Sequence, residues 1–388
     1  MNRPKLLVVL HLTLYSVSNL GVPLVAMVIL QPAQYGVFSL VYLVGALAST
    51  LQLSVVSEVW VRAQGRHGEA NTWNRFINTT VLIGALGGTV GSLVALLFED
   101  TRPYWPLLFV AVFAQVYASA SSFRALRGFD WRYVLPTDVL GTLAVVGSAV
   151  ALVLFSDGAL VHVLVAWAAV KTASMLGARP PERLDPREAV AWIRTNRKDI
   201  ATLVYDGAIA NVANIGTPYM LTPLLGLANL GTYRALENLS GPVRTVIASV
   251  RPALTRLPAR RLGSARFALL VVALSSAVGA CASGALMLLE QTSLDLGTLN
   301  SLYPFAVVVG LYLSVITVWT LYPLLARQVA PSGQVVSVRA AVSVLAIVAP
   351  LAGAAVWGLP GALWAHVGQL SVAAFVWWRV VNRCTVRS

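Results

Sequence analysis

Four ionisable residues fall inside one stretch long enough to cross a bilayer: Arg234, Glu237, Arg244 and Arg251, between Gly231 and Leu257. Glu237, Arg244 and Arg251 recur every seven residues, so on a helix they drift only about 20° per step and share one face. A guanidinium near the membrane centre costs about 2.5–3.5 kcal/mol on insertion scales, and such residues face a bundle interior or a watery cavity. The chemistry on offer is anion recognition, because the planar arginine fork grips phosphate or carboxylate oxygens in paired hydrogen bonds. Depth divides the set. Arg234 lies near the outer end and Arg251 about 9 Å from the cytoplasmic end, so both can snorkel. Arg244 is close to the centre and cannot. Glu237 can pair with Arg234 three residues earlier or with Arg244 one face-turn on. Asp206, about 9 Å inside the preceding span, either carries protons or holds an arginine on a neighbouring helix.

Few other residues suggest chemistry. The four histidines (His11, His67, His162, His366) are scattered, and Cys281 and Cys384 fit neither a disulfide framework nor a metal site, so no metal and no cofactor is expected. There is no nucleophile–base set, no carboxylate pair on a loop and no Gly-rich phosphate loop after a strand. An enzyme is therefore not expected, and no catalytic residue is assigned. Tyr15, Ser16, Gln115 and Ser119 are plausible cavity liners, though interhelical hydrogen bonding explains most such residues.

The elements that must position these groups are membrane helices. Of the 388 residues 57% are hydrophobic and 11% charged, against roughly 25% charged in a soluble domain. Twelve candidate spans run from 6–30 to 359–379, the first read as an uncleaved span rather than a signal peptide. The net charge of +13 does not point to nucleic acid, because linkers alternate in charge along the chain. Arg62, Arg66 and Arg75, then Arg124, Arg127 and Arg132, then Lys171 through Lys198 fall on one side. Glu99, Asp100, Asp157, Glu290 and Asp295 fall on the other. The positive-inside rule places both termini in the cytoplasm. Glu58 and Asp138, near span ends, are expected at the interface.

An internal repeat organises the spans. Asn19, Gly21 and Pro23 in span one recur as Asn214, Gly216 and Pro218 in span seven, and the same offset of 195 residues carries Leu30 onto Leu225 and Gly36 onto Gly231. Six spans separate the copies, so the halves enter the membrane in one direction as parallel repeats, with a site expected between them. The expected organisation is a six-helix lobe over 1–177, a cytoplasmic linker over 178–199 and a second six-helix lobe over 200–388. Pro23 and Pro218 each remove an amide donor, so these helices should loosen there as hinges or expose Asn19 and Asn214 to a cavity. The alternative is packing alone. Within the linker, Asp185, Pro186 and Glu188 predict a helix start, and Val190, Trp192 and Ile193 beside basic residues predict a short helix on the membrane surface.

Gln31-Pro-Ala-Gln-Tyr35-Gly36-Val-Phe38-Ser39 resembles the Pro-x-x-Tyr-Gly-x-Tyr/Phe-Ser loop of bacterial polysaccharide exporters, the O-antigen and oligosaccharide-lipid flippases of the multidrug/oligosaccharidyl-lipid/polysaccharide exporter superfamily. Leu230-Gly231-Thr-Tyr233-Arg234-Ala235 is similar to its second-half counterpart, and Ala125-Leu126-Arg127-Gly128 to another recurrent loop. The resemblance implies an all-α bacterial inner-membrane protein with two lobes in a V, alternating access, and a polyprenyl-diphosphate-linked sugar as cargo. On that reading Arg244, helped by Arg251, neutralises the headgroup. Two alternatives stay open: a cation-coupled drug antiporter using Asp206 or Glu237, and a non-transporting scaffold that docks glycan-assembly proteins through residues 178–199.

Overall fold

The computed structural model describes residues 3–61, 73–127, 130–155, 158–201, 203–204, 212–254, 264–292 and 294–386. Among them every regular element is helical. Eight helices are long and apolar enough to cross a membrane, and one of these, Gly333–Thr385, holds two consecutive crossings' worth of residues. This is an all-α membrane protein. In lipid no water satisfies backbone groups, so apolar runs of this length close their hydrogen bonds within each segment. Serine and threonine on these helices follow suit: Thr13, Thr50, Thr79 and Thr317 each donate to the carbonyl four residues back.

The chain forms two compact units. The first comprises Met1–Ala26 and Val37–Asn211. Its helices are α1 (Arg3–Ile29, whose end lies in the other unit), α2 (Pro32–Gln52, whose start lies in the other unit), α3 (Trp73–Ala95), α4 (Trp105–Arg127), α5 (Trp131–Phe155), α6 (Leu160–Leu176) and α7 (Pro186–Thr195). A π-helical turn, Leu53–Ser57, extends α2. α3 packs along α4, α6 lies against both α4 and α5, and α7 lies on α3. Gly84, Gly88 and Gly91 turn the α3 face toward Phe109, Val112 and Phe113, because small residues let membrane helices approach where no hydrophobic drive exists.

α7 begins as the sequence predicts, with the Asp185 side chain accepting from the Arg187 amide and Pro186 in the first turn. Trp192 is turned inward, however, while Val190 stays exposed. Trp192 and Ala189 are buried, Trp192 Nε1 donates to the Val55 carbonyl at 3.3 Å, and Asn78 receives the Asp185 amide at 3.0 Å while donating to the Arg183 carbonyl. The expected surface helix is thus fastened to the first unit, because one bulky indole finds a protein pocket between α2 and α3.

The second unit comprises Met27–Gly36 and Val212–Ser388. A π-turn, Val212–Gly216, leads into α8 (Thr217–Leu239), followed by α9 (Gly241–Leu254), α10 (Ala265–Glu290), α11 (Ala306–Val329, preceded by a 3-10 turn Gly297–Phe305) and α12 (Ser332–Val386). α8 breaks at Gly226, where φ is +71°, and α12 at Gly358, where φ is +58°. L-residues rarely adopt that backbone, so glycine sets where one span ends and the next begins. The repeat has a physical counterpart in this unit. A methyl on Gly36 would meet the Leu227 carbonyl oxygen at 2.2 Å, and one on Gly231 the Pro32 oxygen at 1.9 Å. Pro32 corresponds to Leu227 and Gly36 to Gly231 in the 195-residue offset, so the contact is reciprocal, as self-complementary packing requires.

Candidate functional site

A cluster of polar side chains lies within the first unit, on α1, α4, α5 and α6. Lys171 of α6 is only 3% exposed, and its Nζ donates to the Ser18 carbonyl at 3.2 Å and to Asn19 Oδ1 at 2.9 Å. Asn19 Nδ2 in turn donates to the Tyr15 carbonyl at 2.8 Å, and Tyr42 Oη to the Asn19 carbonyl at 3.0 Å. The ammonium has three donors and two neutral acceptors. Beside it, His11 Nδ1 and Asp138 Oδ2 are 2.6 Å apart, with exposures of 4% and 1%. Lys171, Asp138, Tyr15, Asn19, Gln115 and Ser119 border one small cavity of about 20 Å³, room for about one water. A larger cleft of about 350 Å³ adjoins it through Tyr15, Ser119 and Ser122, and reaches His11, Thr50 and Gln52. Its walls mix hydroxyl and amide groups with the apolar side chains of Leu12, Leu53, Phe123 and Leu126.

The second unit holds an ion-pair network on α8, α11 and α12. Arg234 Nη1 is hydrogen-bonded to Glu237 Oε2, three residues on, and Arg234 is 6% exposed. Glu237 Oε1 lies 3.9 Å from His366 Nε2, and Tyr233 Oη bonds His366 Nδ1 at 2.8 Å. The His366 ring also packs on Tyr312, with centroids 5.4 Å apart. Asn238 Nδ2 donates to Tyr35 Oη at 2.6 Å. Arg244 of α9 is exposed in the structure, makes no side-chain hydrogen bond or ion pair with described residues, and acts electrostatically on Tyr312 and His366.

The expected residues thus separate. Asn19 joins the Lys171 cluster, Arg234 and Glu237 pair with each other, and Arg244 is left without a side-chain bond among the described residues. Arg234 does not snorkel; its charge is met inside the protein. Asp206 and the side chains of Asn214 and Arg251 lie outside the described residues. α1 runs helically through Pro23, and Gly21 sits where a methyl would strike Val145, so this copy of the motif packs rather than breaks. Gly216 ends the π-turn and Pro218 opens α8, while the sharp backbone break falls at Gly226.

Two sequence expectations are corrected. Lys171 is not part of the basic linker but is buried in α6. Asp138 is not interfacial but buried beside His11. The signal for Lys171 was present, since the span 159–177 already contained it. The Asp138 pairing left no local trace, because its partner is 127 residues away.

No family model matches the chain, and no curated protein matches it in sequence. Solved structures do match its fold. One is an inward-facing multidrug resistance MATE family transporter of the MOP superfamily, at 15% identity and TM-score 0.67, covering 97% of this chain and 96% of the other. The lipid II flippase MurJ, in an inward closed conformation, matches at 10% identity and TM-score 0.63 over 97% of this chain and 87% of its own. A MOP superfamily transporter from Pyrococcus furiosus matches at 14% identity and TM-score 0.57, covering 98% and 94%. The chain therefore has the fold shared by multidrug transporters and a lipid-linked flippase of the MOP superfamily.

Proposed function

We propose that the protein is a transporter of the oligosaccharide-lipid type, moving a polyprenyl-diphosphate-linked glycan across the bacterial cytoplasmic membrane by alternating access. The observation that carries this is Lys171, an amine buried in a membrane helix whose hydrogen-bond partners among the described residues are both neutral. A buried ammonium without a counterion is strongly disfavoured unless an anion meets it. The hydroxyl and amide side chains around it suit a sugar. Arg244, exposed and without a side-chain bond to any described residue, supplies a second cation. The drug-antiporter reading needs an available carboxylate for a cationic cargo; of its two candidates Glu237 is already paired with Arg234, and Asp206 lies outside the described residues.

The test is flipping of a fluorescent polyprenyl-diphosphate oligosaccharide by the full chain in proteoliposomes, beside efflux of an organic cation from the same vesicles. Flipping is expected without cation efflux, and Arg244→Ala should abolish it while membrane insertion stays intact. Arg244→Lys should restore it only in part, because the bidentate fork is lost. Cation efflux without flipping, or undiminished flipping by Arg244→Ala, overturns the assignment.

A further inference from the structure

Arg124, near the end of α4, belongs to neither cluster above. Its guanidinium carbon sits 4.5 Å from the ring centroid of Trp60, 5.4 Å from that of Trp73 and 5.9 Å from that of Phe76. A second guanidinium, that of Arg179, lies 4.8 Å from Trp73. The two cations therefore share one aromatic wall, but among the described residues only one has a counterion. Arg179 is paired with Glu182 at 2.7 Å. Arg124 makes no hydrogen bond or ion pair with any described residue, and its Nε is buried without an acceptor.

Aromatic faces attract a guanidinium by about 0.5–2 kcal/mol but accept none of its five N–H bonds in the plane of the fork. A buried donor left without an acceptor costs about 1–3 kcal/mol. The geometry is thus a held cation awaiting oxygens. The surroundings say at what depth. Trp60 and Trp73 stand at span ends, and the segment after α6 is stitched to the same place. Trp73 Nε1 donates to the Pro180 carbonyl at 3.0 Å, Tyr117 Oη to the Arg179 carbonyl at 2.8 Å, and the Arg179 amide to Ser121 Oγ at 3.1 Å. Tryptophan and tyrosine gather at the membrane–water interface, the depth of lipid phosphates, and basic pockets between helices there bind anionic headgroups.

We propose that Arg124, held by Trp60, Trp73 and Phe76 and assisted by Arg179, is a binding site for a lipid-borne phosphate at the interface. It takes the phosphate bidentately and ties the segment after α6 to the ends of α2, α3 and α4. The same chemistry is offered by a bulk anionic phospholipid and by a polyprenyl diphosphate.

The full chain and its Arg124→Gln, Arg124→Lys and Arg179→Gln variants would be purified in mild detergent and titrated separately with phosphatidylglycerol, polyprenyl diphosphate and phosphatidylethanolamine. Retention is read by native mass spectrometry and by the thermal midpoint. One anionic lipid should be retained at a ratio near one and raise the wild-type midpoint saturably, with phosphatidylethanolamine inert. Retention should fall at least about tenfold in Arg124→Gln, and by less in Arg124→Lys and Arg179→Gln. Phosphatidylglycerol as the retained species identifies the bulk membrane as the source; polyprenyl diphosphate identifies the cargo. Equal retention by wild type and Arg124→Gln overturns the site. Should Arg124→Gln fail to fold, a wild-type midpoint indifferent to both anionic lipids overturns it.

Discussion

Replacing Lys171 with Met removes one buried amine and keeps an unbranched side chain of similar length in α6. The wild-type amine donates to the Ser18 carbonyl and to Asn19 Oδ1. The first acceptor lies inside α1, where a helix carbonyl already has a backbone partner, so little is lost there. Asn19 Oδ1 loses one bond while its Nδ2 keeps the Tyr15 carbonyl, a cost of about 1–3 kcal/mol. Against this, exchanging buried ionic groups for apolar ones of similar volume is often neutral or stabilising by about 1–4 kcal/mol. The two ranges nearly cancel, leaving a net centred near zero within about 3 kcal/mol either way, so the thermal midpoint should stay close to the wild-type value. Transport should fall. An ammonium about 7 Å from a diphosphate, at an effective dielectric near 20, contributes about 2.4 kcal/mol per unit charge. Its loss weakens cargo binding roughly 50-fold. The assay pairs thermal unfolding in detergent with flipping at sub-saturating cargo in proteoliposomes. A lowered midpoint with undiminished flipping would make Lys171 a structural post, and the reasoning from its missing counterion would fail.

Glu237→Gln should lower the thermal midpoint by the equivalent of about 3–5 kcal/mol, since it leaves the Arg234 charge buried without its partner. The double variant Arg234→Met/Glu237→Leu should recover most of that loss, which a midpoint series on wild type and the two variants would read. Gly231→Ala forces a methyl against the Pro32 carbonyl, a backbone atom that cannot swing aside, so the yield of folded protein by size-exclusion chromatography should fall sharply while Gly284→Ala, with open space around it, is tolerated. Trp192→Ala removes a buried indole that holds α7 to α3, at about 3–5 kcal/mol locally. Limited proteolysis should then cut within residues 178–199 while the membrane helices survive, and unchanged protection would show that the side-chain bonds of Asn78, Trp73, Tyr117 and Ser121 hold this segment without the indole.

Much of the fold was legible because lipid leaves few choices. An apolar run of span length must be a helix, and Asp185, Pro186 and Glu188 carry their capping chemistry locally. Glycine at 226 and 358 marks span ends for a reason visible in composition, though the positive φ appears only in the fold. The motif repeated at Pro23 and Pro218 was less informative than its spelling suggests. Proline can be absorbed in a membrane helix when neighbours satisfy the freed carbonyl, and α1 runs on through it. Whether α7 faces lipid or protein was undecidable from periodicity, because an amphipathic helix has the same stripe in either setting.

By itself the sequence determined that the chain is an all-helical membrane protein, that a motif of its first span recurs 195 residues later, and that arginines lie where lipid penalises them. Those properties follow from local hydropathy, charge and the offset between like residues. Only the tertiary structure decided which charges are spoken for. Arg234 and Glu237 neutralise each other across one helical turn, whereas His11 meets Asp138, and Lys171 meets Asn19, across more than a hundred residues. A charge inside a membrane is interpretable only through its counterpart, and pairing at that separation is written in the packing of α1 against α5 and α6, not in the neighbourhood of either residue.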